Sequence, residues 1–262
     1  MIIDAHTHIY PEKIAEKAVK GISEFYDIEM SCDGTLKTLF KLGDAAGVNK
    51  YLVHSVATTP RQTRHLCDFI AEQVRQFPDK LIGFGSVHPD GEDVAADVEY
   101  ILSLGLKGIK LHPDFQKFNI DSPEAMKIYE AAEGRLPILF HTGDYRTQYS
   151  RPQRLLNVKK AFPKLDVIGA HFGNWSQWEE GLDILGGADI YVDTSSSQYA
   201  LTPEKVRALI DGFGTDRILF GSDYPMWNPK DEIEMLDKVL RSDEEREMIY
   251  HGNLERLLAK YE

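Results

Sequence analysis

Short runs of β-branched and aromatic residues punctuate the chain at "MIIDAH", "KYLVHSV", "LIGFGSV", "GIKLH", "PILFHT", "LDVIGAH", "ADIYVDT" and "RILFGSD". Most are near-continuous in apolar character, the pattern of strands covered on both faces. Between most of them lie amphipathic stretches with helix punctuation. Pro60 opens "PRQTRHLCDFIAEQVRQF", Ser122 and Pro123 open "SPEAMKIYEAAE", and Thr202 and Pro203 open "TPEKVRALIDGF". Repeated strand, helix, strand order predicts a parallel sheet. Eight such strands in 262 residues, close to the ~250 usual for the fold, predict an α/β chain closed into a (β/α)8 TIM-like barrel. An open doubly wound sheet would normally carry a glycine-rich phosphate loop behind its first strand. Here that place holds His6, Thr7 and His8. No low-complexity tract, charge run or Pro/Gly-rich linker interrupts the pattern, so residues 1–262 are expected to form one barrel domain.

Composition narrows the partners. No segment approaches the unbroken apolar length of about 20 residues that a membrane-spanning helix needs, so no membrane is expected as a partner. The opening residues carry Asp4 and lack a basic region followed by an apolar stretch, which argues against a secretory signal. Cys32 and Cys67 are too few for a disulfide framework, and a cytoplasmic chain with reduced thiols is the expectation. The formal net charge of -12 repels phosphate backbones and weighs against nucleic acid. A small-molecule substrate is the expected partner, and exposed aromatic residues are compatible with a homodimer.

In barrels of this kind catalytic side chains stand at the carboxyl ends of the strands. Those ends carry His6 and His8, Lys110 and His112, His141, His171 and Asp223. Residues two apart in a strand share a face, so His6 and His8 project side by side, as do Lys110 and His112. Imidazole is the commonest neutral ligand for zinc and similar metals, and convergence of these residues on one rim predicts a metal-centred site. Asp4 lies on the same strand face as His6 and His8 but deeper, where a hydrogen bond is expected, and Asp193 invites the same supporting role. The segments "GDYRTQYSRPQ" and "YPMWNPKD" should cover the pocket. Within them Arg146 and Arg151 are candidates to clamp a carboxylate, while Trp227, Trp175 and Tyr145 are candidates to stack on a ring. His54, His65 and His251 lack suitable strand-end partners and are expected to be structural; His88 follows the third strand and can reach the rim.

The ordered series "DAHTH", "KLHP", "LFHTG", "GAHFG", "YVDTSS", "LFGSDYP" and "GNLERLL" resembles the amidohydrolase superfamily, specifically the amidohydrolase-2 branch that also contains aminocarboxymuconate semialdehyde decarboxylase. The resemblance runs from Met1 to about Leu258. It implies a distorted (β/α)8 barrel in which His6, His8, His141 and Asp223 bind a divalent metal, with His171 beside the metal-bound water or the substrate. In dihydroorotases, a sister group, the lysine of a similar segment is carboxylated and bridges two metals. Lys110 matches that lysine, but His112 departs from the pattern. One metal is therefore expected rather than two, with Lys110, His112 and His171 as candidates for a second metal or for substrate.

Three imidazoles and a carboxylate suit zinc and tolerate manganese, iron or nickel. A divalent ion lowers the pKa of its water toward about 7, which Asp223 can deprotonate while His171 polarises a carbonyl. The first expectation is thus a metal-dependent hydrolase of a small amide, lactone or ester. The second is nonoxidative decarboxylation of a small unsaturated or aromatic carboxylic acid, which relatives by motif perform with the same ligands. A TatD-like deoxyribonuclease comes third. That group carries a glutamate at the fourth strand end, where this chain has Lys110 and His112.

Overall fold

The computed structural model describes residues 1–261, and each of the eight apolar runs forms a strand. They are β1 (Ile3–His8), β2 (Lys50–His54), β3 (Leu81–Gly83), β4 (Ile109–Leu111), β5 (Ile138–Phe140), β6 (Val167–Gly169), β7 (Tyr191–Asp193) and β8 (Ile218–Leu219). Every pair of neighbours runs parallel, in the orders β1-β2-β3 and β4-β5-β6-β7-β8. Backbone hydrogen bonds join the two arcs into a ring. On one side Lys110 N donates to Gly85 O at 2.7 Å; on the other, Ala5 N donates to Phe220 O at 2.8 Å and His8 N to Tyr224 O at 2.7 Å. Closure of this kind leaves no unpaired sheet edge.

Two layers of apolar packing explain the uninterrupted runs. Outward-facing Tyr51, Val53, Ile109, Leu111, Ile138 and Phe140 pack with the surrounding helices in one core, whereas Leu52, Phe84, Leu139, Ile168, Tyr191 and Leu219 fill the barrel. Leu254 and Leu257, on the terminal helix Asn253–Leu258, close the interior. The two-residue period then aims the polar residues. Lys110, between outward-facing Ile109 and Leu111, points inside. His141 follows Leu139 by two, and Asp193 follows Tyr191 by two, so both continue the inward rows at the carboxyl end.

The predicted helix starts are present. Ser122 Oγ accepts from Ala125 N at the head of Pro123–Ala132, and Thr202 Oγ1 accepts from Lys205 N at the head of Pro203–Phe213. Pro60 begins a tight turn, Pro60–Gln62, that leads into the helix Thr63–Gln76. The long connection between β1 and β2 carries two further helices, α1 (Glu12–Tyr26) and α2 (Leu36–Ala45), and Thr63–Gln76 is α3. Among the described residues no helix is long and apolar enough to cross a membrane.

Candidate active site

At the end of β1 the Nε2 atoms of His6 and His8 stand 3.3 Å apart. Asp223, in the turn after β8, brings Oδ1 to 3.4 Å from His6 Nε2 and 3.5 Å from His8 Nε2. Two ligands held at about 2.0–2.1 Å by a tetrahedral ion stand about 3.3–3.4 Å from each other, so this near-equilateral triangle matches one face of such a coordination sphere. The donor types match as well. Burial holds both imidazoles well below their ordinary pKa, and nearby Lys110 acts in the same direction, so both rings stay neutral as metal ligands must.

Behind the triangle lies a supporting network. His6 Nδ1 donates to Asp193 Oδ2 at 2.8 Å. Asp193 Oδ1 accepts from His171 N at 3.0 Å, Ser195 N at 3.1 Å and Ser195 Oγ at 2.5 Å. Asp223 Oδ2 accepts from Ser196 Oγ at 2.5 Å, and that oxygen accepts from Trp227 Nε1 at 2.8 Å. Trp227 thus braces Asp223 through Ser196, and it stacks on Tyr199 at 4.6 Å. Asp4 takes the deeper role expected of it, accepting from Ser222 N at 2.9 Å and Ser222 Oγ at 2.5 Å. Burial pushes its carboxyl up to about 7. Backbone strain gathers here too. His171, Ser196 and Asp223 have φ of 60°, 45° and 59°, a left-handed conformation that costs a side chain of this type about 1–2 kcal/mol.

His141 engages other partners. Its Nε2 meets Gly143 O at 2.9 Å, and its Nδ1 faces His171 Nε2 at 3.0 Å. His171 Nδ1 in turn meets Ser195 O at 3.1 Å. The His112 ring lies parallel on His141, with centroids 3.9 Å apart. Lys110 is fully buried and its Nζ lies 3.1 Å from His6 Nε2. Burial lowers its pKa, although Asp193 and Asp223 oppose that shift. Gly143 has φ of +79°, and a Cβ there would stand 2.3 Å from Trp175 N, so only glycine permits the turn that holds His141.

Three further residues, none of them among the expected site residues, pack against these side chains. Tyr26, at the end of α1, places its hydroxyl 2.9 Å from His112 Nε2 and 3.5 Å from His141 Nε2. Asp114 Oδ2 lies 3.6 Å from His141 Nε2 and has no hydrogen-bond partner. His54, at the end of β2, sets its ring 4.4 Å from that of His8 and 5.0 Å from that of His6, with neither nitrogen satisfied. Its strand-end position was visible in "KYLVHSV". The other histidines lie apart. His88 Nδ1 accepts from Asp90 N, and His251 pairs with Glu255 one turn along its own helix.

A small pocket lies above these groups. Trp175 lines it, and Arg146 does not. The guanidinium of Arg146 is already bound bidentately by Asp144, at 2.9 and 2.7 Å, and donates to Phe25 O at 2.6 Å. It lies over the rings of Phe25, Tyr26 and Trp175, where it secures the end of α1 instead of offering a free fork to a substrate. Arg151 donates to Gln177 Oε1 at 2.9 Å, and Tyr145 is exposed.

Solved structures share this architecture. An uncharacterised TIM-barrel protein from Bordetella bronchiseptica superposes with a TM-score of 0.81 at 23% identity, over 99% of each chain. The 5-carboxyvanillate decarboxylase of Sphingomonas paucimobilis gives 0.76 at 17% identity, over 98% of each chain. A dihydroxybenzoic acid decarboxylase from a Polaromonas species, with bound manganese and the inhibitor 2-nitroresorcinol, gives 0.76 at 17% identity, over 98% of this chain and 96% of that one. A family model described as amidohydrolase matches residues 3–260, nearly the full length, and the chain belongs to that family of metal-dependent enzymes.

Proposed function

We propose that this enzyme is a nonoxidative, divalent-metal-dependent decarboxylase of a small aromatic carboxylic acid, the second of the three readings its sequence suggests. The observation that carries the proposal is the contrast inside the pocket. Polar His6, His8, His112, His141, His171, Ser196 and Asp223 share the lining with Ile22, Tyr26, Met30, Phe115, Trp175, Pro225 and Met226, and no lysine or arginine lines the space. Apolar and aromatic side chains beside polar ones suit an aromatic ring that carries an acid group. The two decarboxylases of similar fold support the same reading. Manganese stands beside zinc as the metal to test, because one of them holds it.

His6, His8 and Asp223 would hold the ion, and Asp193 would orient His6. When bound, a divalent ion supplies positive charge that pairs with the acid and accepts the negative charge developing in the transition state. The apolar side chains exclude water from the ring, so the carboxylate is desolvated where its charge is to be lost. The bond between ring carbon and carboxyl carbon breaks, its electron pair stays on the ring carbon, and carbon dioxide leaves. A proton must then reach that carbon. Asp223, fixed by Ser196, is assigned that transfer, and His171, fixed by Ser195, positions the substrate.

The test is a panel of hydroxybenzoates, unsaturated acids, lactones, esters and amides, incubated with protein loaded with manganese or zinc. Carbon dioxide release from a hydroxybenzoate, with a proton gained at the vacated carbon, is the expected result. Hydrolysis of a lactone, ester or amide without carbon dioxide release would restore the hydrolase reading.

A further inference from the structure

A second cavity opens beside the pocket. It lies between α1 and α3, over the segment that follows β2, and shares His8, Ile22 and Phe115 with the candidate active site. The two spaces are therefore neighbours, with these three side chains between them. Ile14, Ala18, Ile22 and Phe25 line one wall from α1, and Leu66 and Phe69 line the other from α3. On α1 these residues recur every three or four positions, the stripe that a helix normally buries against a neighbour. Here the stripe faces the groove instead. Ala15 is the one fully buried residue of α1, and Ile14 is 50% exposed.

The charge at the groove is equally specific. Acidic residues outnumber basic ones by 42 to 30 in the chain, yet no carboxylate lines this space, whereas Lys17, Arg61 and His65 do. Nearby Lys20 pairs with Glu24 and Arg64 with Asp97. Lys17, Arg61 and His65 have no such partner among the described residues. An apolar trough that borders a reaction pocket and carries Lys17 and Arg61 without acidic partners complements a long anionic molecule.

We propose that the groove is a substrate subsite. It takes the apolar arm of a carboxylic acid whose reacting end lies over His6, His8 and Asp223, and Lys17 and Arg61 hold a second anionic group at the far end of that arm. The assignment of the reacting end rests on the function proposed above; the groove's preference for an apolar, anion-terminated arm does not.

The probes are benzoates carrying a para-alkoxy arm of increasing length that ends in either a carboxylate or a methyl group. Binding is measured calorimetrically on metal-loaded and metal-stripped protein. Affinity is expected to rise about threefold for each added methylene until the groove is filled. The Lys17→Ala, Arg61→Ala double variant should weaken the carboxylate-ended arms by about fivefold and leave the methyl-ended arms unchanged. Leu66→Glu should abolish the length dependence. Affinity independent of arm length overturns the proposal, as does a dimer in sedimentation that Ile14→Glu dissociates, since a second copy would then cover the groove. If unsubstituted benzoates neither bind nor react while the length dependence persists in metal-stripped protein, the reading of the reacting end fails and the groove assignment stands.

Discussion

Asp193 Oδ2 accepts a 2.8 Å hydrogen bond from His6 Nδ1, and that contact decides which nitrogen of the imidazole stays basic. With the proton on Nδ1, the Nε2 lone pair faces the space shared with His8 Nε2 and Asp223 Oδ1. A carboxylate behind a ligand imidazole also raises its basicity and fixes its angle. Asp193→Asn is expected to lower affinity for manganese or zinc by about 10- to 100-fold, measured by competition with a chelator. The amide can still accept from His171 N and Ser195 N, so circular dichroism should be unchanged. Unaltered affinity would show that His6 is not a ligand or that something else sets its tautomer.

Asp223→Asn separates holding the metal from moving a proton. An amide oxygen coordinates weakly and keeps the contact with Ser196, but the side chain cannot deliver a proton. Metal content should fall modestly while turnover drops by about 10² or more, as expected when a general acid or base is lost. Both are read on one preparation, by elemental analysis and steady-state rate. Wild-type turnover in the variant would leave Asp223 as a ligand only.

The barrel is legible in the sequence because both faces of its strands are buried, so the apolar runs stand out without any alternation to decode. The same reading points to His6, His8, Lys110, His141, His171 and Asp223, since each lies within the last residues of a strand or closely follows one. Tyr26 is not legible. It arrives at the rim from α1, and no period or spacing in the β1–β2 connection marks the last residue of that helix as a neighbour of His112. Ser196 is hidden for a related reason, because its contact with Asp223 depends on two strained turns meeting. Arg146 is the opposite case. Its partner Asp144 stands two residues before it, so the local ion pair was visible while the substrate clamp was only a general property of loop arginines.

His141 Nδ1 and His171 Nε2 face each other 3.0 Å apart. His141 Nε2 meets Gly143 O at 2.9 Å and His171 Nδ1 meets Ser195 O at 3.1 Å. If each donates to its carbonyl, lone pairs oppose each other across the 3.0 Å between His141 Nδ1 and His171 Nε2. Burial holds both rings below their ordinary pKa, so a proton does not readily fill the gap. A cation does. In place of the single ion expected from sequence, we expect metal-free protein to bind one equivalent tightly at His6, His8 and Asp223 and a second more weakly at His141 and His171. The second should vanish in His171→Gln. A single equivalent in both proteins would mean that one imidazole gives up its carbonyl and donates to the other.

Glu232 sets a pH dependence of stability at a distance from the metal ligands. It lies in the helix Pro229–Asp237, is 1% exposed, and accepts from Gln198 Nε2 at 2.9 Å. Burial pushes its carboxyl from an ordinary 4.5 up to about 8, outweighing the Gln198 hydrogen bond, and Asp223, Asp4 and Asp231 reinforce the rise. The folded chain therefore keeps this proton to higher pH than the unfolded chain does. Between those two values the native state binds more protons, so Glu232 makes stability fall as pH rises, with a slope of at most about 1.4 kcal/mol per unit. The contribution is fully present below about 4.5 and lost above about 8. Glu232→Gln carries no proton to lose and its amide can still pair with Gln198. Wild type and variant should melt together near about pH 4.5, whereas near about pH 9 the variant should melt higher by about 4 °C or more. Thermal melts across that range decide the matter, and parallel curves for the two proteins would show that Glu232 is ionised in the fold throughout.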